Sequence, residues 1–370
     1  MLIFLSYALP FSCRRSRARG SVTAGTNPSK ADPASSVIEH EARERQLTAV
    51  VTGVGALIGQ GIIRSLRLAA PHARIIGVDR SDDSPGPDWC DEFHKKPPVT
   101  ESDPAYTAFW RGLLTTTNAD IVFPGIDVDC WFLADRGAML PRSARLVINS
   151  EPLNRLCRDK WAFYEAIQTL PGNAIPTLLA STSPPVAPEW QPPFVVKHRF
   201  GSGSRGMSIA RSHEELAATL GRIRREDFIV QPYIGTDDAE FTAAAFGLGD
   251  GSSGQPIVFR RRLSPAGNTA AAVVVTEPEI EAAIVELSRT FRPVGPTNYQ
   301  FRKDGAAFRL LEINPRLSSS SSLRTLFGFN EVAMCLEFFI RGRPPAHGTI
   351  RRGRAWRYLA DHVAYDRDSV

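Results

Sequence analysis

Cysteine is scarce in this chain of 370 residues, and its five cysteines are scattered along the sequence. No two of them form a CxxC pattern, and no cysteines and histidines are clustered with the spacing of a zinc motif, so the sequence offers neither a zinc site nor a disulfide framework. A chain of this length, with 43% hydrophobic residues, can bury a large core without disulfides. These features favour a reducing compartment, and we expect a cytoplasmic protein.

The chain also lacks an apolar run long enough to cross a bilayer. The apolar segment 1–11 is too short, and its arginines follow the run, whereas a secretory signal has its charge before it. A linker-like stretch comes next. We expect residues 1–46 to be a disordered extension or the product of a start codon assigned too far upstream; a membrane-proximal anchor is the alternative. No stable membrane insertion is expected.

The sequence also lacks the charge distribution of a nucleic-acid-binding protein. The formal net charge is +5, but residues 1–46 supply +3 of it and the remaining chain only +2. No basic stripe interleaved with aromatic residues is present, so we expect no nucleic-acid partner.

Strand-like and helix-like segments alternate over residues 47–150, which predicts a parallel sheet covered by helices. The segment Val50–Gly61 has the look of a dinucleotide-binding turn, and the acid Asp79 follows about twenty residues later. The spacing of Gly53, Gly55 and Gly59 has one residue too many for that fingerprint. An NAD(P)-dependent reductase or epimerase built on this turn would need a YxxxK pair, and the one pair with that spacing, Tyr299 and Lys303, lies far beyond the turn in the sequence.

Two acids follow the strand-like run "ADIVFPG". Ligands of parallel sheets bind beyond the carboxyl ends of the strands, so Asp127 and Asp129 are candidates for a site there. The alternative is a helix N-cap followed by a solvated acid.

Beyond Ser150 the pattern changes to helices, the second of which Asp159 can cap, and then, after a proline-rich link, to paired strands with separate helices. The segments "AEFTAAAFGLG" and "QPIVFRRRLS" are expected to pair as antiparallel strands, and the pattern predicts an α+β domain. Here "VVKHRFGSGSRGM" places Lys197 on a strand before a glycine-rich loop. Its charge and the backbone N–H groups of residues 201–206 could clamp a polyphosphate, with Arg205 reaching phosphate or substrate. The loop is not a P-loop, and an ordinary Gly/Ser hairpin is the alternative.

The strongest signal is "LLEINPRLSSSSS". Glu312 and Asn314 stand two apart on a strand and share a face, whereas Leu311 and Ile313 should point into a core. Arg316 lies just beyond. A carboxylate and an amide at this spacing suit Mg²⁺, which takes few protein oxygens together with substrate phosphates.

Gln300 lies on the preceding strand. A three-residue hairpin loop, Lys303–Gly305, would place Gln300 on the face of Glu312 and Asn314. A two-residue loop would reverse that parity.

These segments occur in the order of the ATP-grasp enzymes, and "NYQF…EINPRLSSSSSL" resembles the carbamoyl-phosphate synthetase large subunit and its short relatives. The resemblance covers about residues 47–345. It implies an α/β Rossmann-like domain at 47–150, a two-subdomain α+β ATP-grasp domain at 151–345, and a C-terminal tail at 346–370.

The resemblance also implies roles for individual residues. Gln300 and Glu312 would bind one Mg²⁺, and Glu312 and Asn314 a second, with Mn²⁺ as an alternative ion. Arg316 would stabilise an acyl phosphate, with Lys197 and Arg205 completing the catalytic set. The residues implied to bind ATP are Lys160, Lys197, Gly201, Ser202, Gly203, Gly206, Gln231, Tyr233 and Glu240.

Two departures from the family pattern affect the nucleotide. The hinge "VQPYI" has Gln231 where the family usually has an acid. The segment from Gln231 to Glu240 is longer than is typical of the family. Asp237 or Asp238 is therefore an alternative to Glu240 as the residue that holds the ribose.

We accordingly expect an ATP- and Mg²⁺-dependent ligase that activates a small carboxylate as an acyl phosphate for attack by an amine. ADP and phosphate would be released, and the resemblance implies a homodimer. The alternatives are carbamoyl-phosphate chemistry on bicarbonate and ammonia, the NAD(P)-dependent enzyme, and a nucleotide-binding protein without catalysis.

Overall fold

A computed structural model describes residues 46–170, 174–201 and 206–365. The expectation of a disordered extension falls on residues 1–45, outside the described residues, as do Ser202, Gly203 and Arg205 of the glycine-rich loop. Within the described residues, no helix combines the length and the apolar character needed to cross a membrane.

Strands and helices are numbered here in chain order. The strands are β1 Thr48–Thr52, β2 Arg74–Asp79, β3 Glu92–Lys95, β4 Ile121–Phe123, β5 Arg145–Leu146, β6 Leu178–Leu179, β7 Phe194–His198, β8 Ser208–Ala210, β9 Phe228–Pro232, β10 Glu240–Leu248, β11 Ile257–Leu263, β12 Thr269–Val275, β13 Val294–Asp304, β14 Ala307–Asn314 and β15 Arg354–Trp356. The α-helices are α1 Leu57–Ala69, α2 Pro104–Thr117, α3 Asp127–Arg136, α4 Glu151–Arg158, α5 Lys160–Ile167, α6 His213–Leu220, α7 Pro278–Phe291, α8 Ser321–Leu326 and α9 Glu331–Cys335.

The first sheet is parallel, as the alternating pattern predicts, with strand order β3-β2-β1-β4-β5. Every residue of β1 is buried, because helices cover both faces of the sheet. Ala49 and Val51 pack with α1 on one side, whereas Val50 packs with Tyr106 and Trp110 of α2 on the other. The carboxyl ends of β1 and β4 therefore meet at one edge.

The chain then forms a small antiparallel sheet of order β6-β9-β7-β8. Phe194 and Val196 of β7 share a core with Leu216 and Leu220 of α6. This packing fixes β7, and with it Lys197, whose side chain points away from that core because side chains alternate along a strand.

The third sheet has the order β14-β13-β10-β11-β12-β15, and its neighbouring strands are antiparallel. The predicted pairing of "AEFTAAAFGLG" with "QPIVFRRRLS" is confirmed as β10 with β11. One face of this sheet packs through Ala244, Phe246 and Phe259 against the same core as α1. The other face packs against α5 and α7.

The β13–β14 hairpin differs from the predicted loop. Asp304 pairs with Ala307, so the turn has two residues and the three-residue loop was wrong. A register shift restores the predicted face, because Gln300 pairs with Glu312 while Phe301 pairs with Leu310. Leu311 is the extra residue of this β-bulge.

The bulge also changes which leucine is buried. Leu310 and Ile313 belong to the core, whereas Leu311 is only half-buried, contrary to expectation. The face shared by Gln300, Glu312 and Asn314 is thus a property of the bulge rather than of the turn.

Asp127 and Asp129 stand in the first turn of α3 and not in a loop. Asp129 is fully buried instead of solvated: its carboxylate accepts hydrogen bonds from Lys96 Nζ at 2.7 and 2.5 Å and from Tyr106 Oη at 2.7 Å. We call Lys96, Tyr106 and Asp129 the closed cluster. It ties β3, α2 and α3 together inside the first domain.

Candidate active site

Three polar side chains meet at the ends of β13 and β14. Glu312 Oε1 accepts hydrogen bonds from Gln300 Nε2 at 2.6 Å and from Asn314 Nδ2 at 2.9 Å. We call these three residues the acid–amide triad. The strand register places all of them on one face of the sheet, at positions where an apolar residue would have served a purely structural strand.

An arginine connects the triad to the first domain. Arg316 Nη2 donates to Asn314 Oδ1 at 3.1 Å, and its Nε donates to Asp127 Oδ1 at 2.6 Å. Burial disfavours the charged form of Arg316, but the carboxylate of Asp127 favours it more strongly, so the pKa of Arg316 lies above its ordinary value. The guanidinium is thereby held as a fixed cation beside the triad.

A second arginine reaches the triad from β11. Arg261 Nη2 donates to Gln300 Oε1 at 2.5 Å and lies 3.6 Å from Glu240 Oε2. Glu240 Oε1 is also 3.4 Å from Arg302 Nε. Burial raises the pKa of Glu240, although both arginines oppose that change. Glu240 therefore lies in a buried group with two arginines, one of which also contacts the triad.

A buried polar network lies next to the triad on the large sheet. Arg324 is fully buried, and its Nη2 donates to Asn298 Oδ1 at 2.6 Å and to Thr242 Oγ1 at 3.0 Å. Its Nη1 lies 3.4 Å from Glu331 Oε2. Asn298 lies on the same face of the large sheet as Gln300, two positions before it on β13.

Two lysines approach from the small sheet. Burial lowers the pKa of Lys197 to about 8, with the nearby charge of Lys160 acting in the same direction and Glu312 and Glu240 opposing it. Lys160 also has a lowered pKa because of burial, and its Nζ donates to the carbonyl oxygen of Gly201 at 2.7 Å. The two cations and Glu312 are thus close enough to influence one another.

The helix that carries Lys160 is fixed by its cap. Asp159 accepts hydrogen bonds from the backbone of Trp161 and Ala162, as predicted from the sequence. It also pairs with Arg199 through Nε at 2.8 Å and Nη2 at 2.6 Å. This pair joins the start of α5 to the end of β7.

The remaining described residues of the implied nucleotide set lie around the small sheet. Gly201 and Gly206, at the two ends of the glycine-rich loop, both have positive φ angles. Gln231 on β9 is buried, and its Nε2 donates to Thr177 Oγ1 at 2.7 Å. The ring of Tyr233 lies under the guanidinium of Arg302, 4.6 Å from its centre.

A cavity of about 680 Å³ lies beside the triad. It is bounded by the start of α1, by residues 125–128 at the start of α3, and by residues 265–268 between β11 and β12. The side chains that bring polar chemistry to it are Asp127, Arg261, Asn298, Gln300, Glu312, Asn314 and Arg316. Lys160 and Lys197 are not among its lining residues.

The glycine-rich turn of the first domain is closed on itself. Asp79 Oδ2 accepts a hydrogen bond from the backbone N–H of Gly55 at 2.9 Å. A Cβ at Gly55 would lie 2.7 Å from Ser84 Oγ, and one at Gly86 would lie 2.4 Å from the backbone of Val54. Both the acid and the space beside the turn are therefore occupied by the protein itself.

The donor set of the triad is one that Mg²⁺ accepts. One carboxylate and two amides supply oxygens only, and none of the described residues forms a cluster of three His, Cys, Asp or Glu. So few protein oxygens suit an ion whose remaining ligands are phosphates and water. In the structure the amide oxygens of Gln300 and Asn314 face Arg261 and Arg316, so binding an ion would require both amides to turn.

Sequence reasoning did not place three residues of this site, Arg261, Asn298 and Arg324, or the contact between Asp127 and Arg316. Arg261 carries a signal in "RRR", since the middle residue of three on a strand faces opposite to its neighbours. Asn298 stands two before Gln300 and so shares its face. Arg324 and the Asp127–Arg316 contact have no local signal, because their partners are far away in the sequence.

Comparison with known proteins agrees with this geometry. A model of the family described as "ATP-grasp in the biosynthetic pathway with Ter operon" matches residues 224–361. A carbamoyl phosphate synthase large chain from Methanothrix thermoacetophila is 26% identical over 181 residues, 45% of this chain and 17% of that protein. An uncharacterized protein, y4rH, from Sinorhizobium fredii is 29% identical over 154 residues, 36% of this chain and 30% of that protein. The matches thus span less than a third of either relative.

Solved structures resemble a larger part of the chain. The ADP complex of N5-carboxyaminoimidazole synthetase from Staphylococcus aureus has a TM-score of 0.66 at 14% identity, covering 85% of this chain and 84% of that one. The biotin carboxylase domain of 2-oxoglutarate carboxylase from Hydrogenobacter thermophilus, crystallised with MgADP and bicarbonate, has a TM-score of 0.65 at 14% identity, covering 84% and 74%. The predicted resemblance to the ATP-grasp superfamily is confirmed, by sequence over residues 224–361 and by fold over most of the chain.

Proposed function

We propose that the protein is an ATP-dependent ligase that activates a small organic carboxylate as an acyl phosphate and transfers the acyl group to an amine. The observation that carries this proposal is the acid–amide triad in the wall of a polar cavity, with the charges of Lys160 and Lys197 close enough to Glu312 to interact with it. The two lysines suit phosphates, and the cavity offers polar groups to the acid and the amine.

The region around the two lysines would hold the nucleotide. Lys160 and Lys197 would contact its phosphates, together with Gly201 and Gly206. Gln231 and Tyr233 would lie near the base, and Glu240 near the ribose. Bound Mg²⁺ would neutralise charge on the transferring phosphoryl group and align it. Gln300 with Glu312, and Glu312 with Asn314, would supply its protein ligands.

The protein residues then position the reacting groups. A substrate carboxylate oxygen attacks the γ-phosphorus and ADP leaves, which gives an acyl phosphate. Arg316 would donate hydrogen bonds to that group, and Asp127 holds its guanidinium in one orientation. The amine attacks the acyl carbon and phosphate departs. Arg261 adds a second fixed cation on the same side.

The size of the cavity favours organic substrates over bicarbonate and ammonia. About 680 Å³ is in the range of pockets that enclose small organic ligands, and far above the roughly 30 Å³ that one water molecule fills in the liquid. The carbamoyl-phosphate alternative would leave most of this space empty.

The closed turn at Gly55 disfavours the NAD(P)-dependent alternative. In a dinucleotide site the acid binds ribose and the glycine backbone approaches the pyrophosphate. Here Asp79 is bonded to Gly55 itself. The turn is better explained as a structural element that orients α1 toward the cavity.

The decisive experiment is ATP- and Mg²⁺-dependent phosphate release across a matrix of amino acids, other carboxylic acids, bicarbonate and amines. Release that requires one acid and one amine together, with equimolar ADP, is the expected result. Glu312→Gln should be inactive and Glu286→Gln, a change on an exposed face of α7, should retain activity.

Three outcomes would contradict the proposal. Release with bicarbonate and ammonia alone would favour carbamoyl-phosphate chemistry. A melting temperature raised by NAD(P)H but not by MgADP would indicate the alternative nucleotide. Nucleotide binding with no turnover under any pair would leave a binding protein.

A further inference from the structure

A groove of about 490 Å³ lies on the face of the large sheet opposite to the acid–amide triad. Register alternation separates the three consecutive arginines of β11: Arg261 points toward Glu240 and Gln300, and Arg260 and Arg262 point to the other face. The groove is therefore a second site, separated from the triad by the thickness of one sheet.

Cross-strand pairing arranges the groove as two rows. Arg260 pairs with Val273, which pairs with Arg354 on the edge strand β15. Since neighbouring strands lie about 4.8 Å apart, the backbones of Arg260 and Arg354 flank the groove at a separation of roughly 10 Å. A phosphate between them could be reached by both long side chains.

The second row lies on the same face, two residues further along each of the three strands. Arg262 pairs with Ala271, which pairs with Trp356. The small side chain of Ala271 forms a low floor between a guanidinium and an indole. Trp356 is 63% exposed, and no described cation lies over its ring.

The charge of the groove is unbalanced. Arg260, Arg262 and Arg354 make no side-chain hydrogen bond or ion pair with any residue in the described part of the chain, and Asp238 is the one acid that lines the groove. Three like charges beside an uncovered sheet repel one another and need a counter-charge. Arginine also matches the oxygens of a phosphate with paired N–H donors.

From this arrangement we propose that the groove binds a small aromatic molecule that carries a phosphate, of the size of a mononucleotide. The phosphate lies between Arg260 and Arg354, next to Arg262. The aromatic ring stacks on Trp356 above Ala271, where a planar group finds an exposed π face. Arg261 lines both the groove and the cavity beside the triad. The proposal does not depend on the ligase function, since the residues that would hold the phosphate and the ring belong neither to the triad nor to the lysine pair.

The test uses calorimetric titration of guanosine 5′-monophosphate into the full chain in the presence of saturating MgADP. We expect binding that weakens by at least about tenfold in the double variant Arg260→Ala/Arg354→Ala, because two charged contacts to phosphate are removed. Trp356→Leu should weaken binding as well. The matched control Arg222→Ala removes an exposed arginine after α6 and should bind as the unaltered protein does. An unchanged melting temperature shows that each variant is folded.

Controls on the ligand separate its two parts. Guanosine, which lacks the phosphate, should not bind, and inorganic phosphate should bind more weakly than the nucleotide. Lys197→Ala should leave the binding intact, which distinguishes the groove from the proposed active site even if that site fails to bind MgADP.

Any of several results would overturn the proposal. These are the absence of nucleotide binding, equal affinity in the double variant, loss of binding in Lys197→Ala, or equal affinity for inorganic phosphate. Binding of a single-stranded oligonucleotide through the same arginines without binding of the mononucleotide would assign the groove to nucleic acid instead.

Discussion

The closed cluster and the acid–amide triad are both polar networks inside the protein, but they differ in what surrounds them. In the closed cluster, Lys96 and Asp129 are fully buried and satisfy each other and Tyr106. In the triad, Glu312 is half-buried beside a cavity, and its partners also contact arginines. A polar network that is fully buried and fully hydrogen-bonded stabilises the fold. A polar network that borders a cavity can also contact a ligand, and this is the difference between the closed cluster and the triad.

The largest effect on activity is expected for Glu312→Gln, which tests whether the triad acts in catalysis rather than in stability. The change removes the carboxylate of the triad while keeping its shape, so phosphate release should fall on the order of 10³-fold. The melting temperature should change little, because Glu312 borders a cavity. Steady-state kinetics and thermal melting of the same sample check both parts, and a variant that melts early but retains turnover would break the comparison.

Lys96→Met should have the opposite signature. It leaves Asp129 as an uncompensated buried charge, so the free energy of unfolding should fall by about 3–5 kcal/mol. Lys95→Met is the matched control: Lys95 pairs with Asp82 on the surface, where such a pair contributes roughly 0–1 kcal/mol. Urea unfolding measures both. Equal losses in the two variants would contradict the role given to the closed cluster.

Asp127→Asn should give an intermediate effect on catalysis. Arg316 would lose the carboxylate that orients it, and a displaced catalytic group costs up to about 10²-fold. We expect kcat to fall roughly 10-fold to 10²-fold with a smaller change in the KM for ATP. Arg316→Lys should not restore the rate, because an ammonium lacks the planar pair of donors. A change confined to the KM for ATP would place Asp127 with the nucleotide instead.

The smallest effect concerns the protonation of Lys197, whose pKa burial lowers to about 8. Phosphates need the charged form, so affinity for MgADP should decline by up to about tenfold per pH unit above pH 8. Lys197→Arg should lose this dependence, because a guanidinium stays charged. The stability effect has the opposite sign: below pH 8 the buried charge destabilises the fold, and this is relieved as the pH rises from about 8 toward the unfolded pKa. Titrations at pH 7–10 test both.

The sequence predicted those parts of the site that depend on local geometry. Glu312 and Asn314 were placed on one face because side chains alternate on a strand, and Asp159 was recognised as a cap from its position before α5. The register of Gln300 was beyond such reasoning, since the predicted loop was wrong and a bulge compensated for it. The Asp127–Arg316 contact joins residues 189 positions apart, and only the packing of α3 against the end of β14 creates it.

Glu240 illustrates the same limit within one domain. The sequence left Glu240 and the acids at 237 and 238 as alternatives for the ribose. In the structure Glu240 is buried between Arg261 and Arg302, whose positions depend on two further strands. The surroundings that distinguish Glu240 from the two neighbouring acids thus follow from sheet pairing and not from spacing along the chain.

The bulge at Leu311 makes the site sensitive to where the chain is shortened as well as to residue type. A strand without Leu311 would keep Gln300 opposite Glu312 and Phe301 opposite Leu310, so the polar face would survive. A strand without Ile313 would instead bring Asn314 next to Glu312 and turn one of the two toward the core. Loss of a single residue should therefore be tolerated at the bulge and selected against just beyond it.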